Sequence, residues 1–257
     1  MNRHLKRVIA VGVAAVCSAT ACGSSPDPTT SITVYAASSL IKSFTAIGKD
    51  FEAANPGYSV EFVFASSSEL SGALAAGAEA DVFASGDRAN MTVATDAGVV
   101  SGPPVPFASN RLVVVTPAGN PRHLTSFADL AQPNLRVTVC GARGACGSAT
   151  QQVESRTGIQ LHSVSDDTTP TRVLKDVTSG NADAGVVFMT DALTAGDNVS
   201  WFALPGDADA VTSWIAVLKG TDQDHEAAQF IKEVTGAKGQ RLLADDGFIA
   251  PLKSPTG

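Results

Sequence analysis

Short apolar runs alternate with amphipathic stretches through most of the 257-residue chain. The run from Ser31 to Ala36 leads into apolar residues three or four positions apart, which is the pattern of a strand followed by an amphipathic helix; they are Leu40, Phe44, Ile47 and Phe51. Further strands are predicted at 60–64, 81–84, 112–116, 135–139, 184–188 and 214–218, and terminal helices at 225–235 and 240–245. The alternation predicts an α/β protein with mixed, mostly parallel sheets flanked by helices.

The N-terminus has the layout of an exported lipoprotein signal. Basic residues precede an apolar run from Val8 to Val16 that is too short to span a bilayer. The following segment, ATAC, resembles the bacterial lipobox, although Ala19 replaces its usual leucine. We expect a signal peptide at 1–21, a lipidated Cys22 and a flexible tether at 22–30, which would hold the protein at the outer face of the cytoplasmic membrane. Cleavage and free secretion is the alternative.

The charge balance narrows the range of partners. Loss of the first 21 residues would remove Arg3, Lys6 and Arg7 but no acidic residue, so the net charge would change from −7 to −10. Nucleic-acid-binding proteins need a basic surface, and we expect no nucleic acid partner. An anion would gain no long-range attraction, so a site for one would depend on local hydrogen-bond donors. We expect a monomer without a cofactor.

Two cysteines, Cys140 and Cys146, remain in the mature domain once Cys17 and Cys22 are assigned to the signal and the lipid site. In an oxidising compartment they could form a disulfide that closes a small loop. Free thiols are a second possibility. A metal site is the weakest reading, because structural zinc sites usually need four ligands and no further cysteine or histidine lies nearby.

In three places a strand runs into small or hydroxyl-bearing residues that open a helix, at 34–40, 64–70 and 139–148. In open α/β sheets, ligands bind where strands end and helices begin. The unpaired N–H groups of a helix start can hold an anion, and a serine hydroxyl can add a donor. The alternative is that these serines only cap helices, and Ser66 with Glu69 fits a capping box.

Five segments spread between about Ser31 and Pro251 carry a family resemblance; they are VYAASSL, FASSSELSGALAAGAEADVFASGD, NRLVVVTP, NADAGVVFMTDA and DDGFIAP. They resemble the periplasmic molybdate-binding proteins of bacterial ABC importers. The resemblance implies a two-lobed periplasmic binding protein of type II that closes on molybdate or tungstate and delivers it to a membrane permease. By analogy, lobe 1 would comprise 31–108 plus 211–257, and lobe 2 would comprise 109–210. The bound oxyanion would be the transported ligand, with no direct metal ligands from the protein.

The resemblance also implies a set of ligand-binding residues. The serine ligands of the family fall on Ser39, with Ser38 beside it, and on Ser67. A backbone N–H donor falls on Cys146, and a Cys140–Cys146 disulfide would stiffen that turn.

Two positions of lobe 2 depart from the family pattern. Phe188 stands where the family has a tyrosine hydroxyl, and Pro170, which has no N–H, stands where the family has a donating valine. Pro170 suits the first position of a helix, with Thr169 or Asp167 as its cap. A hydroxyl or N–H of Thr168 or Thr169 could substitute for the missing donor. Arg143 and Arg172 are further candidates, although a solvated surface position is the simpler reading of both.

Three alternative functions remain open from the sequence. A receptor for sulfate or another tetrahedral oxyanion would use the same scaffold, and cavity size would decide between the ligands. An exported serine hydrolase would use Ser39 or Ser67, but the chain lacks a G-x-S-x-G elbow, and its histidines after the signal lie in polar contexts. A structural or adhesive lipoprotein would leave the repeated helix-start serines unexplained.

Overall fold

The computed structural model describes residues 30–142, 144–164, 169–204 and 210–252. The predicted signal peptide, Cys22, and the tether up to residue 29 lie outside the described residues, as do Arg143, Asp167 and Thr168. Thr30 belongs to the first strand, where it pairs with Tyr58, rather than to the tether. In the described ranges, no helix combines the length and the hydropathy needed to cross a membrane.

Nine strands and eight α-helices make up the described part of the chain. The strands are β1 (Thr30–Ala37), β2 (Tyr58–Ala65), β3 (Val82–Ser85), β4 (Val100–Asn110), β5 (Leu112–Pro117), β6 (Val137–Val139), β7 (Ala184–Phe188), β8 (Val199–Ala203) and β9 (Val211–Leu218). The helices are α1 (Ile41–Ala54), α2 (Ser67–Ala75), α3 (Arg88–Asp96), α4 (Ala145–Thr157), α5 (Pro170–Thr178), α6 (Met189–Ala195), α7 (Asp224–Thr235) and α8 (Ala237–Asp245).

The strands form two mixed sheets, each flanked by helices. The sheet of lobe 1 has the order β2-β1-β3-β9-β4, and the sheet of lobe 2 has the order β6-β7-β5-β8. The sheets are mixed, as predicted, but they are not mostly parallel. Strand β9 runs antiparallel to β3 and β4, and β5 runs antiparallel to β7 and β8. The parallel pairs are β1 with β2, β1 with β3, and β6 with β7.

Strands β4 and β8, which lie at sheet edges, were not predicted from the sequence pattern. Strand β4 contains Pro103, Pro104 and Pro106, and its pairing with β9 is interrupted by two register shifts. Proline cannot donate to a neighbouring strand and is therefore confined to edges and bulges, which hides such a strand from pattern analysis. Helix α6 was also missed, because it follows β7 with no turn signal between them.

Each lobe has its own hydrophobic core. In lobe 1, Phe230 of α7 packs edge-on against Phe44 and Phe51 of α1, with ring centroids 5.9 and 5.7 Å apart. In lobe 2, the core is mainly aliphatic, and β5 contributes three consecutive valines, Val113 to Val115, that are fully buried. Continuous burial along a strand is expected where helices cover both faces of the sheet.

Ser109 and Asn110, which the analogy assigned to lobe 2, pair with β9 in the sheet of lobe 1. The chain then passes to lobe 2 within a single residue, because β4 ends at Asn110 and β5 begins at Leu112. The return to lobe 1 leads through 205–209, outside the described residues, into β9. Near the first crossing, Ser109 exchanges two backbone hydrogen bonds with Ile249, at 2.8 and 2.9 Å. The crossing is thus fastened to the C-terminal segment of lobe 1.

Candidate functional site

A cavity of about 950 Å³ opens between the two lobes. Six of the seven predicted ligand-binding residues line it: Ser38, Ser39, Ser67, Cys146, Pro170 and Phe188. The seventh, Thr169, does not line it. The cavity lies where β1, β2 and β6 end and the following helices begin, so the carboxyl ends of strands from both lobes meet around one volume.

The turn after β1 presents two serines and a helix start. Ser38 to Leu40 form a single 3-10 turn that continues directly into α1, and Ala37 precedes this turn in an extended conformation without a side-chain cap. Ser38 is exposed and Ser39 is half-buried. Because the first N–H groups of a helix have no partner within the helix, this turn offers both backbone and hydroxyl donors to the cavity.

The turn after β2 contains two neighbouring serines with different roles, one of which caps the following helix. Ser66 is the N-cap of α2: its Oγ accepts from the Glu69 N–H at 3.2 Å and donates to the Glu69 carboxylate at 2.7 Å. These hydrogen bonds hold the pKa of Glu69 below its usual range. The neighbouring Ser67 is buried, and its Oγ accepts from the Gly86 N–H at 2.9 Å. Its hydroxyl hydrogen therefore remains to donate into the cavity.

The turn after β6 presents backbone N–H groups rather than side chains. Helix α4 starts after Gly144, which provides no side-chain cap. Ala145 and Cys146, the first two residues of the helix, line the cavity with their backbone N–H groups at this helix start. A Cβ on Gly147 would lie 2.0 Å from the Gly141 carbonyl oxygen, so only glycine fits there. Cys146 is joined to Cys140 by a disulfide whose Cα atoms are 5.7 Å apart. The bridge ties the start of α4 to the end of β6.

Helix α5 starts as the sequence predicts, with Pro170 at its first position and Thr169 as its cap. The Thr169 Oγ1 accepts from the Arg172 N–H at 3.3 Å, so this hydroxyl caps the helix. Pro170 occupies the first helical position and Thr171 the second, and both line the cavity. Arg172 forms an ion pair with Asp176 at 3.0 Å along the helix and does not line the cavity.

An acidic residue that the sequence pattern did not predict lies at the site. Asp191, in the first turn of α6, lines the cavity, and one of its carboxylate oxygens accepts from the Phe188 N–H at 3.3 Å. Burial raises the pKa of this carboxyl to about 6. Phe188 is itself buried and contributes its N–H to this cap, while its ring adds no donor. An aspartate in a first helical turn is so common that no sequence signal marked it.

Charged and apolar groups surround the mouth of the cavity. Lys42 is paired with Asp246 at 2.5 Å, and Lys175 is exposed to solvent. Ile41 of lobe 1 and Leu193 of lobe 2 line the cavity while remaining 48% and 44% exposed. Among the described residues that line the cavity, the two cations are therefore a lysine paired with a carboxylate and a lysine exposed to solvent.

Two kinds of group would bear on catalysis or metal binding among the described residues that line the cavity, a histidine base and a cluster of metal ligands. None of the described histidines lines it, so neither Ser39 nor Ser67 has an imidazole base beside it. Among the described residues, no cluster of three or more potential ligands could hold a metal ion. The arrangement supports reversible binding through hydrogen bonds.

Residues 32–249 match the family model for bacterial extracellular solute-binding proteins. The molybdate-binding protein ModA of Mycobacterium tuberculosis is 48% identical over 222 residues, which cover 86% of this chain and 85% of that protein. The periplasmic molybdate-binding protein of Azotobacter vinelandii has the same fold, with a TM-score of 0.71 at 19% identity over 86% of this chain and 100% of that one. So does the M. tuberculosis sulfate-binding protein SubI, with a TM-score of 0.73 at 19% identity over 85% and 86% of the two chains. The chain belongs to the family of bacterial extracellular solute-binding proteins, which are not enzymes.

Proposed function

We propose that this protein captures molybdate or tungstate outside the cytoplasmic membrane and delivers it to the membrane permease of an ABC importer. The observation that carries the proposal is the convergence of the Ser39 and Ser67 turns of lobe 1 and the Cys146 turn of lobe 2 on one cavity. The 48% identity to a protein named for molybdate binding supports the choice of ligand. Capture would proceed by lobe closure, with no covalent chemistry.

The donor set suits a fully deprotonated dianion. Molybdate and tungstate accept hydrogen bonds at every oxygen. Serine hydroxyls and helix-start N–H groups are neutral donors, which remain protonated at neutral pH. We propose Ser38, Ser39, Ser67 and the Cys146 N–H as ligand contacts. In lobe 2 we also propose the Thr171 N–H, because Thr171 lines the cavity one position after the proline that lacks an N–H.

The test is calorimetric titration of the mature domain, started after Cys22, with molybdate, tungstate, sulfate and phosphate in parallel. Tight binding of the first two anions with negligible binding of sulfate is the expected result. Preference for sulfate would replace the proposed ligand with the second candidate, which the fold shared with SubI favours. Absence of binding by all four anions would reject an oxyanion receptor.

We further propose that the protein acts as a monomer held at the outer face of the membrane through a lipidated Cys22. The lipobox-like ATAC segment supports this anchor. Residues 23–29 would then separate the lipid from β1. A tether of this composition would let the lobes face the permease in more than one orientation.

Breaking the disulfide is expected to impair binding more than folding. The Cys140–Cys146 bridge fixes the helix start that presents the Cys146 N–H, while it closes only a short loop of the unfolded chain. Reduction should raise the dissociation constant for molybdate about tenfold and lower the melting temperature by about 5 °C. Calorimetry and thermal melting with and without reductant measure both effects. The double variant Cys140→Ser/Cys146→Ser is the control, since reductant should leave it unchanged; an unaltered affinity in the reduced wild type would contradict the prediction.

Oxyanion binding is expected to weaken as pH rises through about 6. Burial raises the pKa of Asp191 to about 6, so this carboxyl is neutral below that pH and negative above it, where it repels a dianion in the same cavity. The dissociation constant should therefore rise about tenfold between pH 5.5 and pH 8. Asp191→Asn keeps an acceptor for the Phe188 N–H and should bind tightly across this range. Asp176→Asn, away from the cavity, should keep the wild-type pH dependence, and a flat wild-type profile would count against the assignment.

A further inference from the structure

Asn110 is a buried residue of the cavity whose hydrogen bonding is incomplete. It is the last residue of β4, at the crossing between the lobes, and only 3% of its surface is exposed. In the structure, the Asn110 Nδ2 donates to the Thr190 Oγ1 at 2.9 Å, while the Asn110 Oδ1 has no hydrogen-bond partner among the described residues. Both Asn110 and Thr190 line the cavity. A buried amide oxygen without a partner is rare in native proteins and calls for a reason.

The two ends of a side-chain amide have nearly the same shape, so their assignment follows from the hydrogen bonds around them. Half a turn of the Asn110 amide would let the Thr190 hydroxyl donate to Oδ1. The amide NH₂ would then occupy the position that Oδ1 has now. In the first orientation the free end of Asn110 seeks a donor, and in the second it offers one.

The ligand chemistry selects between the two orientations. A fully deprotonated oxyanion has only acceptors, so it can partner the NH₂ group but not the amide oxygen. We propose that Asn110 binds the oxyanion directly, donating from Nδ2 while Thr190 holds the amide through Oδ1. This inference rests on the proposed function and adds a ligand contact that neither the helix-start serines nor the family resemblance supplied.

The position of this contact gives it a second consequence. Asn110 ends a strand of lobe 1, and Thr190 belongs to α6 of lobe 2, so their hydrogen bond joins the lobes at the crossing. A ligand held by Asn110 would therefore touch the junction as well as the helix starts of each lobe. The neutral amide also provides this contact without adding a charge to the cavity.

Titration of single-residue variants with molybdate tests the assignment. Asn110→Ala should weaken binding about tenfold to a hundredfold, since it removes a hydrogen bond to a charged ligand. Asn110→Asp, which replaces the donor with a charged acceptor of the same size, should weaken it further. Thr190→Val leaves the amide in place without its hydroxyl partner and should have an intermediate effect. Asn55→Ala is the matched control, because its amide donates to the Phe51 carbonyl at 2.8 Å outside the cavity, and it should leave the affinity unchanged.

A direct readout separates ligation from a purely structural role. In ¹⁵N-labelled protein, the Asn110 side-chain amide signal, assigned by its loss in Asn110→Ala, should shift on addition of molybdate. Wild-type affinity in Asn110→Ala, or an unmoved amide signal in a wild type that binds molybdate, would overturn the role of Asn110 and leave the proposed function standing. A wild type that binds no oxyanion would overturn both.

Discussion

Ser67→Ala is expected to weaken molybdate binding about a hundredfold while the protein remains folded. The substitution removes a hydroxyl donor from the cavity, and it leaves the Gly86 N–H without the acceptor that now lies 2.9 Å away. Hydrogen bonds to charged groups contribute about 1.5–3 kcal/mol, which corresponds to about a hundredfold change in affinity. A double variant with Ser39→Ala should bind too weakly for calorimetry.

The measurement is the dissociation constant together with the melting temperature. Ser126→Ala is a suitable control, because Ser126 caps a helical turn of lobe 2 through Asp129 and lies outside the cavity. That variant should lose about 1 kcal/mol of stability and keep its affinity. Equal affinities of Ser67→Ala and the wild type would remove Ser67 from the site and leave it a structural role.

Gly147→Ala is expected to abolish binding and to destabilise lobe 2. The added Cβ would lie 2.0 Å from the Gly141 oxygen and 2.6 Å from the Cys140 oxygen. Both contacts are with backbone atoms, so the start of α4 must move away from the loop that the disulfide closes. Overpacking of this kind costs about 1–3 kcal/mol or more, and it would displace the Cys146 N–H that we propose as a ligand contact.

Thermal melting and calorimetry again give the two numbers needed. Gly72→Ala is the matched control: this glycine lies in α2, is exposed, and has nothing within 4 Å of the position of its Cβ. Since alanine favours helices over glycine by about 1 kcal/mol, that variant should be slightly more stable and bind normally. Normal molybdate binding by Gly147→Ala would show that the α4 start does not contact the ligand.

The fold was predictable where local pattern and tertiary environment agree. Strands such as β5 and β7 are buried on both faces, and their continuous apolar runs mark them in the sequence. Edge strand β4, with its prolines and register shifts, carries no such pattern. The direction of β9 was likewise hidden, because strand direction depends on long-range pairing that hydrophobicity does not encode.

The site was predictable only in part, for a related reason. Helix-start serines are visible in sequence, and the resemblance distinguished Ser67, the proposed ligand contact, from Ser66, which caps the helix. Asn110 and Asp191 lie in two of the segments that carry the resemblance, but they are distant in the chain from the helix-start serines, and no local spacing connects them to the cavity. Thr169 caps the helix that it precedes, and it does not line the cavity, which local sequence alone does not reveal.

The exposed apolar side chains at the mouth, Ile41 and Leu193, bear on the thermodynamics of capture. They belong to opposite lobes, and closure over a ligand would remove their surface from water. An inorganic oxyanion has no apolar surface of its own. A negative heat-capacity change on binding would therefore originate in the protein, with the hydrophobic effect favouring the closed form for a ligand that is itself wholly polar.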